Sequence, residues 1–244
     1  MQGSNADSAA KNAVNAKEGS DNDPVLLNIA PFISPEGELL DTYIKTNIWI
    51  PEREHLTSSV EHHLTLQRIE SEHRPAQPGV AHADPYSHRP QPHRIIDTAF
   101  GKVGVLICWD LAFPEAFRAL IMQGAKIILI PTFWTAFDMS EEGLKYNKDG
   151  EKLFLETTLV ARAFENTCAI VFCNAGGPSS EGFLGLSQVC LPIVGKLDGS
   201  FVDGEEGLRV IEIDMEILEV AERNYKIRKD LASEDWHYGY SRVD

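Results

Sequence analysis

Cysteine is scarce in this chain of 244 residues: there are four, Cys108, Cys168, Cys173 and Cys190, and no C-x-x-C pair among them. That density excludes a disulfide-stapled scaffold and a paired-cysteine zinc site, so all four are read as reduced thiols, of which at most one does chemistry. Positive charge is also short, with 22 Lys and Arg against 37 Asp and Glu and a formal net charge of -15. Nucleic acid and anionic membrane surfaces both require clustered cations, so neither is an expected partner. No apolar run approaches the roughly 18 to 20 residues that a bilayer span needs. The opening MQGSNADSAAKNAVNAKEGSDNDP lacks the apolar segment of a secretory signal, so a cytoplasmic location is expected. Residues 1–23 hold almost no large apolar side chain and cannot offset the entropy of ordering, which predicts a disordered tail.

The chain as a whole is 43% hydrophobic and 24% charged, enough for one globular domain with a substantial core over residues 24–244. Val25 opens a strand candidate, VLLNIAPFI. Ser34-Pro35-Glu36-Gly37 is turn chemistry, and Glu38 to Lys45 reads as the returning strand of a hairpin that delivers Lys45 at its far end. The central run is Gly101 to Trp134. Val103 to Ile107 is a short β-branched strand, Cys108-Trp109-Asp110 follows at once, then an amphipathic helical pattern with Pro114 near its first turn, then a second apolar strand at Ile127 to Pro131. A side chain at a strand-to-helix corner is pushed out of the sheet, and the N–H groups of the following turn face the space where an anion would form. A thiol at that corner is placed to attack a carbonyl-like carbon, although a lone cysteine is more often a small buried apolar residue. Glu115 and Arg118 are spaced for an ion pair along the helix.

Between about residues 60 and 93 the character changes: six of the eight histidines and five prolines fall here, without periodicity. Imidazoles bind zinc, copper or nickel, so a metal-binding module is one reading of this insertion. Histidines scattered among prolines, with no H-x3-H pair and no H-E-x-x-H helix, fit a solvated loop better, and neither metal nor cofactor is expected. Farther on, Asp149 to Thr167 has helical spacing, and Cys168 to Asn174 reads as a buried strand in which Cys168 and Cys173 pack. Gly182 to Leu197 and Leu208 to Ile213 read as further strands, and Asp214 opens a last helix reaching Leu231.

CWDLAFPEAFRAL with GAKIILIPTFW, the run YIKTNIWIPEREHLT, and the passage from RAFEN to CNAGG together resemble the nitrilase superfamily of carbon-nitrogen hydrolases, in a fungal-type, amidase-like wording. The resemblance runs from about Leu26 to Tyr240, apart from the insertion. It implies an α/β fold, a four-layer α-β-β-α sandwich, and hydrolysis of a non-peptide carbon-nitrogen bond in a small amide, nitrile or carbamoyl substrate through a thioester on Cys108. Lys45 takes the place of the lysine of a Glu-Lys-Cys triad. A second glutamate follows that lysine in some members; Glu52 and Glu54 both stand at plausible spacing, and Glu52 is the choice. The Trp109 backbone would face the oxyanion, and Phe133, Trp134 and Asn174 would line the pocket, with aromatic core packing equally open for Trp134. C-terminal segments of the superfamily commonly cross a dimer interface, so a homo-oligomer is expected. The superfamily's general-base glutamate lies well upstream of the lysine, where this sequence offers only Glu18 with no strand leading to it. The domain is therefore expected to be partial, N-terminally incomplete, and the alternative to a hydrolase is a catalytically impaired pseudoenzyme that serves as a binding or oligomer partner.

Overall fold

The structure, a computed structural model, describes residues 25–64, 93–236 and 238. Its first element is a separate antiparallel hairpin of β1 (Ile29–Ile33) and β2 (Leu39–Ile44), in which Ile29 faces Ile44 and Ile33 faces Leu39. Ser34 organises the turn, its hydroxyl accepting the N–H groups of Glu36 and Glu38 at 3.2 Å each, while Gly37 takes a φ of +86° that a side chain would resist. Ala30, Phe32 and Tyr43 face the core and Ile29, Ile33 and Leu39 are exposed, a register shift between Phe32 and Ile33 bringing Leu39 opposite Ile33 on the outer face.

Six further strands form one mixed sheet in sequential order: β3 (Ile95–Thr98), β4 (Gly101–Val105), β5 (Ile127–Thr132), β6 (Ala169–Asn174), β7 (Gln188–Leu191) and β8 (Gly195–Lys196). The middle strands β4, β5 and β6 run parallel, and antiparallel neighbours extend both edges. Parallel neighbours need long crossovers, supplied here by helices α1 (Pro114–Met122) and α2 (Gly150–Asn166). Ile128, Ile130, Ile170 and Phe172 alternate toward these helices and meet Phe117, Leu120, Leu155, Leu159 and Ala163, all essentially excluded from solvent. The other face carries a smaller cluster of Ala169, Val189 and Leu191 under Leu218 of helix α3 (Glu216–Tyr225).

Four local readings are corrected. Leu208 to Ile213 is irregular rather than a strand: Leu208 and Val210 point to solvent, while Ile211 and Ile213 pack on the second cluster, so their alternation buries one side without a ladder. The last helix is not continuous to Leu231 but breaks at Lys226, whose φ is +53°, before a short helix Ile227–Leu231. The break turns Glu222 onto the N–H groups of Arg228 and Lys229, and sends the Arg228 guanidinium to the carbonyls of Ala125, Asn166 and Thr167. Arg118, expected to pair with Glu115, instead donates to the Glu165 carbonyl at 2.9 Å, one of the last carbonyls of α2 that the helix itself leaves without partners. Cys173 is exposed on its strand, whereas Cys168 and Cys190 are buried, and burial pushes both of those thiols up to about 12.

The expected tail and the bulk of the histidine-rich insertion lie outside the described residues. At the insertion's two ends, residues 59–64 are helical and His93 is buried against Tyr43. Among the described residues, no helix is long and apolar enough to cross a membrane, and no cluster of His, Cys, Asp or Glu is arranged to hold a metal ion.

Helix α1 packs tightly on β4 at Gly104, where an added Cβ would sit 2.6 Å from a methyl carbon of the fully buried Leu120. Gly104→Ala is therefore expected to destabilise the domain by about 1–3 kcal/mol through overpacking, read as a lower denaturation midpoint in urea at an unchanged slope.

Candidate active site

Strand β4 ends in a sharp corner. Leu106 still bonds the Leu129 carbonyl of β5 at 3.0 Å, and Ile107 stays extended; Cys108 then turns to a φ of +47° and opens a helical turn, Cys108–Ala112. A left-handed φ is uncommon for a residue with a side chain and carries a cost of order 1–3 kcal/mol. The first N–H groups of a helical turn have no acceptor within it, so those of Cys108 and Trp109 are left free of the turn's own bonds. The thiol is partly exposed, and its Sγ lies 3.8 Å from the Phe133 carbonyl at the end of β5. Burial pushes this thiol up to about 11, and the Lys45 ammonium is the main influence in the opposite direction.

Lys45 is completely buried. A buried ammonium without a partner costs several kcal/mol, and here the partner is Glu52, whose Oε2 accepts from Nζ at 2.5 Å. Glu52 reaches that place because it is the third residue of the turn Ile50–Glu54, where the same oxygen also accepts the Trp49 N–H at 3.2 Å. Pro51, second in that turn, needs no N–H donor there. The Lys45 backbone is held from both sides, its N–H on the Asn28 carbonyl and its carbonyl on the Ser59 N–H. Glu54, the other glutamate at plausible spacing, is exposed.

Beside this pair lies a network that the sequence reading did not single out. Asp110 is fully buried, and its carboxylate accepts four hydrogen bonds: from the Tyr43 hydroxyl at 2.8 Å, the Ile107 N–H at 2.9 Å, and the Asn47 N–H and side-chain amide at 3.0 and 2.8 Å. Tyr43 gives its one proton to Asp110, so its oxygen accepts from His93 Nδ1 at 3.2 Å. Burial and the Asp110 charge push the Tyr43 phenol well up, and burial holds His93 below its usual value. The legible signal was the spacing of Tyr43, Lys45 and Asn47, polar groups two residues apart where the strand Leu39–Ile44 gives way to a bend.

The pocket residues expected from the resemblance lie in two environments. Phe133 is exposed and meets Phe183 edge to face at 5.9 Å. Trp134 is buried between Trp109 and Phe154, at 5.5 and 5.4 Å, and its indole N–H donates to Glu151 at 2.7 Å; the burial that accompanies this contact raises the Glu151 carboxyl. Asn174 spends its side chain on the Trp134 backbone, accepting its N–H at 2.8 Å and donating to its carbonyl at 3.0 Å. A cavity of about 360 Å³ lies between the segment following Lys45, at Thr46, Asn47 and Ile48, and Phe113 of the elbow; Cys108 is not in its wall.

The sequence profile of the carbon-nitrogen hydrolase family matches residues 9–221. A probable nitrilase of Schizosaccharomyces pombe is 32% identical over 132 residues, which is 54% of this chain and 43% of that protein. An N-carbamoylputrescine amidase of Arabidopsis thaliana is 27% identical over 146 residues, 56% of this chain and 46% of that protein. The chain thus spans about half the length of the curated relatives it matches. Among solved structures, a carbon-nitrogen hydrolase from Helicobacter pylori G27 superposes with a TM-score of 0.59 at 24% identity, covering 84% of this chain and 62% of that one, which gives the chain the nitrilase-type α/β sandwich fold.

The opposed effects of burial and Lys45 on the thiol make a direct test. Alkylation of Cys108, followed by peptide mass spectrometry so that the exposed Cys173 does not interfere, is expected to reach half its maximal rate near pH 11. Lys45→Met removes the cation that favours the thiolate, so it is expected to move that midpoint upward.

Proposed function

Because the chain belongs to the carbon-nitrogen hydrolase family, we propose that Cys108 is the nucleophile in hydrolysis of a non-peptide carbon-nitrogen bond in a small amide, nitrile or carbamoyl compound. The observation that carries this reading is a fully buried lysine, held by Glu52, whose charge acts on a thiol at a strand-to-helix corner. For an amide the steps are these. The sulfur, having lost its proton, adds to the carbonyl carbon, and the carbonyl oxygen takes the negative charge. Lys45 Nζ and the Trp109 N–H are the donors for that oxyanion. Collapse breaks the carbon-nitrogen bond, the nitrogen leaves with a proton as ammonia or an amine, and a thioester remains on Cys108. Water then cleaves the thioester to the acid and the free thiol. In this scheme Glu52 orients Lys45, and Phe133, Trp134 and Asn174 shape the acyl side of the site, Asn174 by holding the Trp134 backbone. The names of the relatives support amide, carbamoyl and nitrile groups as the substrate chemistry. A cytoplasmic homo-oligomer belongs to the same reading.

One observation favours a second reading, a catalytically impaired relative that binds rather than turns over. The carboxylates that act on the thiol among the described residues are Glu52 and Asp138. Glu52 is committed to Lys45 and the Trp49 N–H, and Asp138 to the N–H and hydroxyl of Thr135. A thiol near 11 keeps its proton at neutral pH, and loss of a general base costs roughly 10² to 10⁴ in rate.

Ammonia release from simple aliphatic amides, nitriles and N-carbamoyl amines separates the two. The hydrolase reading expects measurable release that Cys108→Ala abolishes and that Lys45→Met lowers about 10²- to 10³-fold in kcat. Absence of release from all three classes, in protein that still binds them by calorimetry, establishes the second reading instead.

A further inference from the structure

The Asp110 network has no part in the chemistry just described, yet three of the four hydrogen bonds to its carboxylate join the same two segments. Two of its donors, Tyr43 and Asn47, stand two residues before and two residues after Lys45. The carboxylate itself stands two residues after Cys108 and accepts the N–H of Ile107, the residue before the thiol. We propose that Asp110 is a positioning residue that sets the Lys45 ammonium against the Cys108 sulfur by clamping the lysine's segment at Tyr43 and Asn47. The proposal rests on the reading of Cys108 and Lys45 as partners in one site.

The geometry supports a clamp rather than a single contact. Asn47 binds Asp110 Oδ1 through both its backbone and its side chain, while Tyr43 and Ile107 bind Oδ2, so each carboxylate oxygen is saturated and the side chain has no freedom to turn. Charge-assisted hydrogen bonds of this kind are about twice as strong as neutral ones. Tyr43 is braced in turn by His93, whose carbonyl accepts the Gln123 side chain at 2.8 Å, so the clamp extends to the C-terminal end of α1. The elbow helix, the nucleophile turn and the lysine segment are thereby one hydrogen-bonded unit.

The clamp and a plain charge effect predict opposite signs. Asp110 is a negative group near the site; if its charge alone mattered, Asp110→Asn would ease formation of the thiolate and speed alkylation of Cys108. If Asp110 positions Lys45, the substitution weakens the clamp, the ammonium drifts, and alkylation at a fixed pH slows. The test measures the rate of iodoacetamide modification of Cys108 by peptide mass spectrometry in the wild type, in Asp110→Asn, in Lys45→Met and in the double variant. The expected result is slowing by up to about tenfold in Asp110→Asn, equivalent to about one pKa unit, and no further slowing when it is added to Lys45→Met, because the effect passes through the lysine. Faster or unchanged alkylation in Asp110→Asn overturns the proposal, as does equal slowing in both backgrounds, which marks general loosening. Tyr43→Phe, which removes only the hydroxyl, carries the same expectations should Asp110→Asn fail to fold. Alkylation requires no turnover, so an inactive enzyme would refute the hydrolase reading without touching this one.

Discussion

A lysine with no exposure to solvent is the constraint on which the rest of the site depends. Burying an ammonium is tolerable only with an opposite charge at contact distance and a rigid backbone on both sides. The chain meets the first need with Glu52, set in place by a five-residue turn whose own Trp49 N–H binds the same carboxylate oxygen. It meets the second with backbone bonds from Asn28 and Ser59. The hairpin, the turn after it and the start of the helical segment at 59–64 are all engaged in holding one side chain still. A loosely held lysine there would take up water, and its effect on the neighbouring thiol would fall with the rise in local dielectric.

The corner at Cys108 is built by a different device. Cys108 sits in a backbone conformation unfavourable to any residue with a side chain, and the surrounding bonds leave it little alternative. Leu106 is still held in the sheet, Asp110 receives the Ile107 N–H, and the turn hands over directly to Pro114 at the first position of α1. Strain of that size persists where neighbouring structure over-determines it, and such positions cluster at functional sites. Burial raises the thiol and the nearby cation lowers it, so the reactivity of Cys108 is a balance fixed by the placement of Lys45 rather than a property of the cysteine alone.

Much of this was legible in the sequence, in places where local pattern and chemistry coincide. The strand, corner, helix and strand from Gly101 to Trp134 could be read from β-branched runs and helical spacing, and the hairpin from Ser34 to Gly37. What escaped was whatever depends on partners remote in the chain. Asp110 looks like any acidic residue at a helix start; only its distance to Tyr43 and Asn47, more than sixty positions away, makes it a buried hub. His93 read as one more solvated histidine of the insertion and is instead a buried donor to Tyr43. Glu115 and Arg118 had the spacing for a helical pair, but an orphan carbonyl on α2 competes better for the guanidinium. Lys226 carries no helix-breaking chemistry; at the break Glu222 accepts from the Thr167 hydroxyl at the end of α2, and Arg228 donates to the carbonyls of Asn166 and Thr167 there and to that of Ala125 ahead of β5.

Acyl transfer is proposed to rest on the Lys45 and Cys108 pair. Its most direct test is to mix the protein with an amide substrate, quench in acid during turnover, and map the acyl group by peptide mass spectrometry. The acyl mass is expected on the peptide that contains Cys108, and much less of it in Lys45→Met. Ammonia release with no acyl group on Cys108, or with the label on the exposed Cys173, would contradict it.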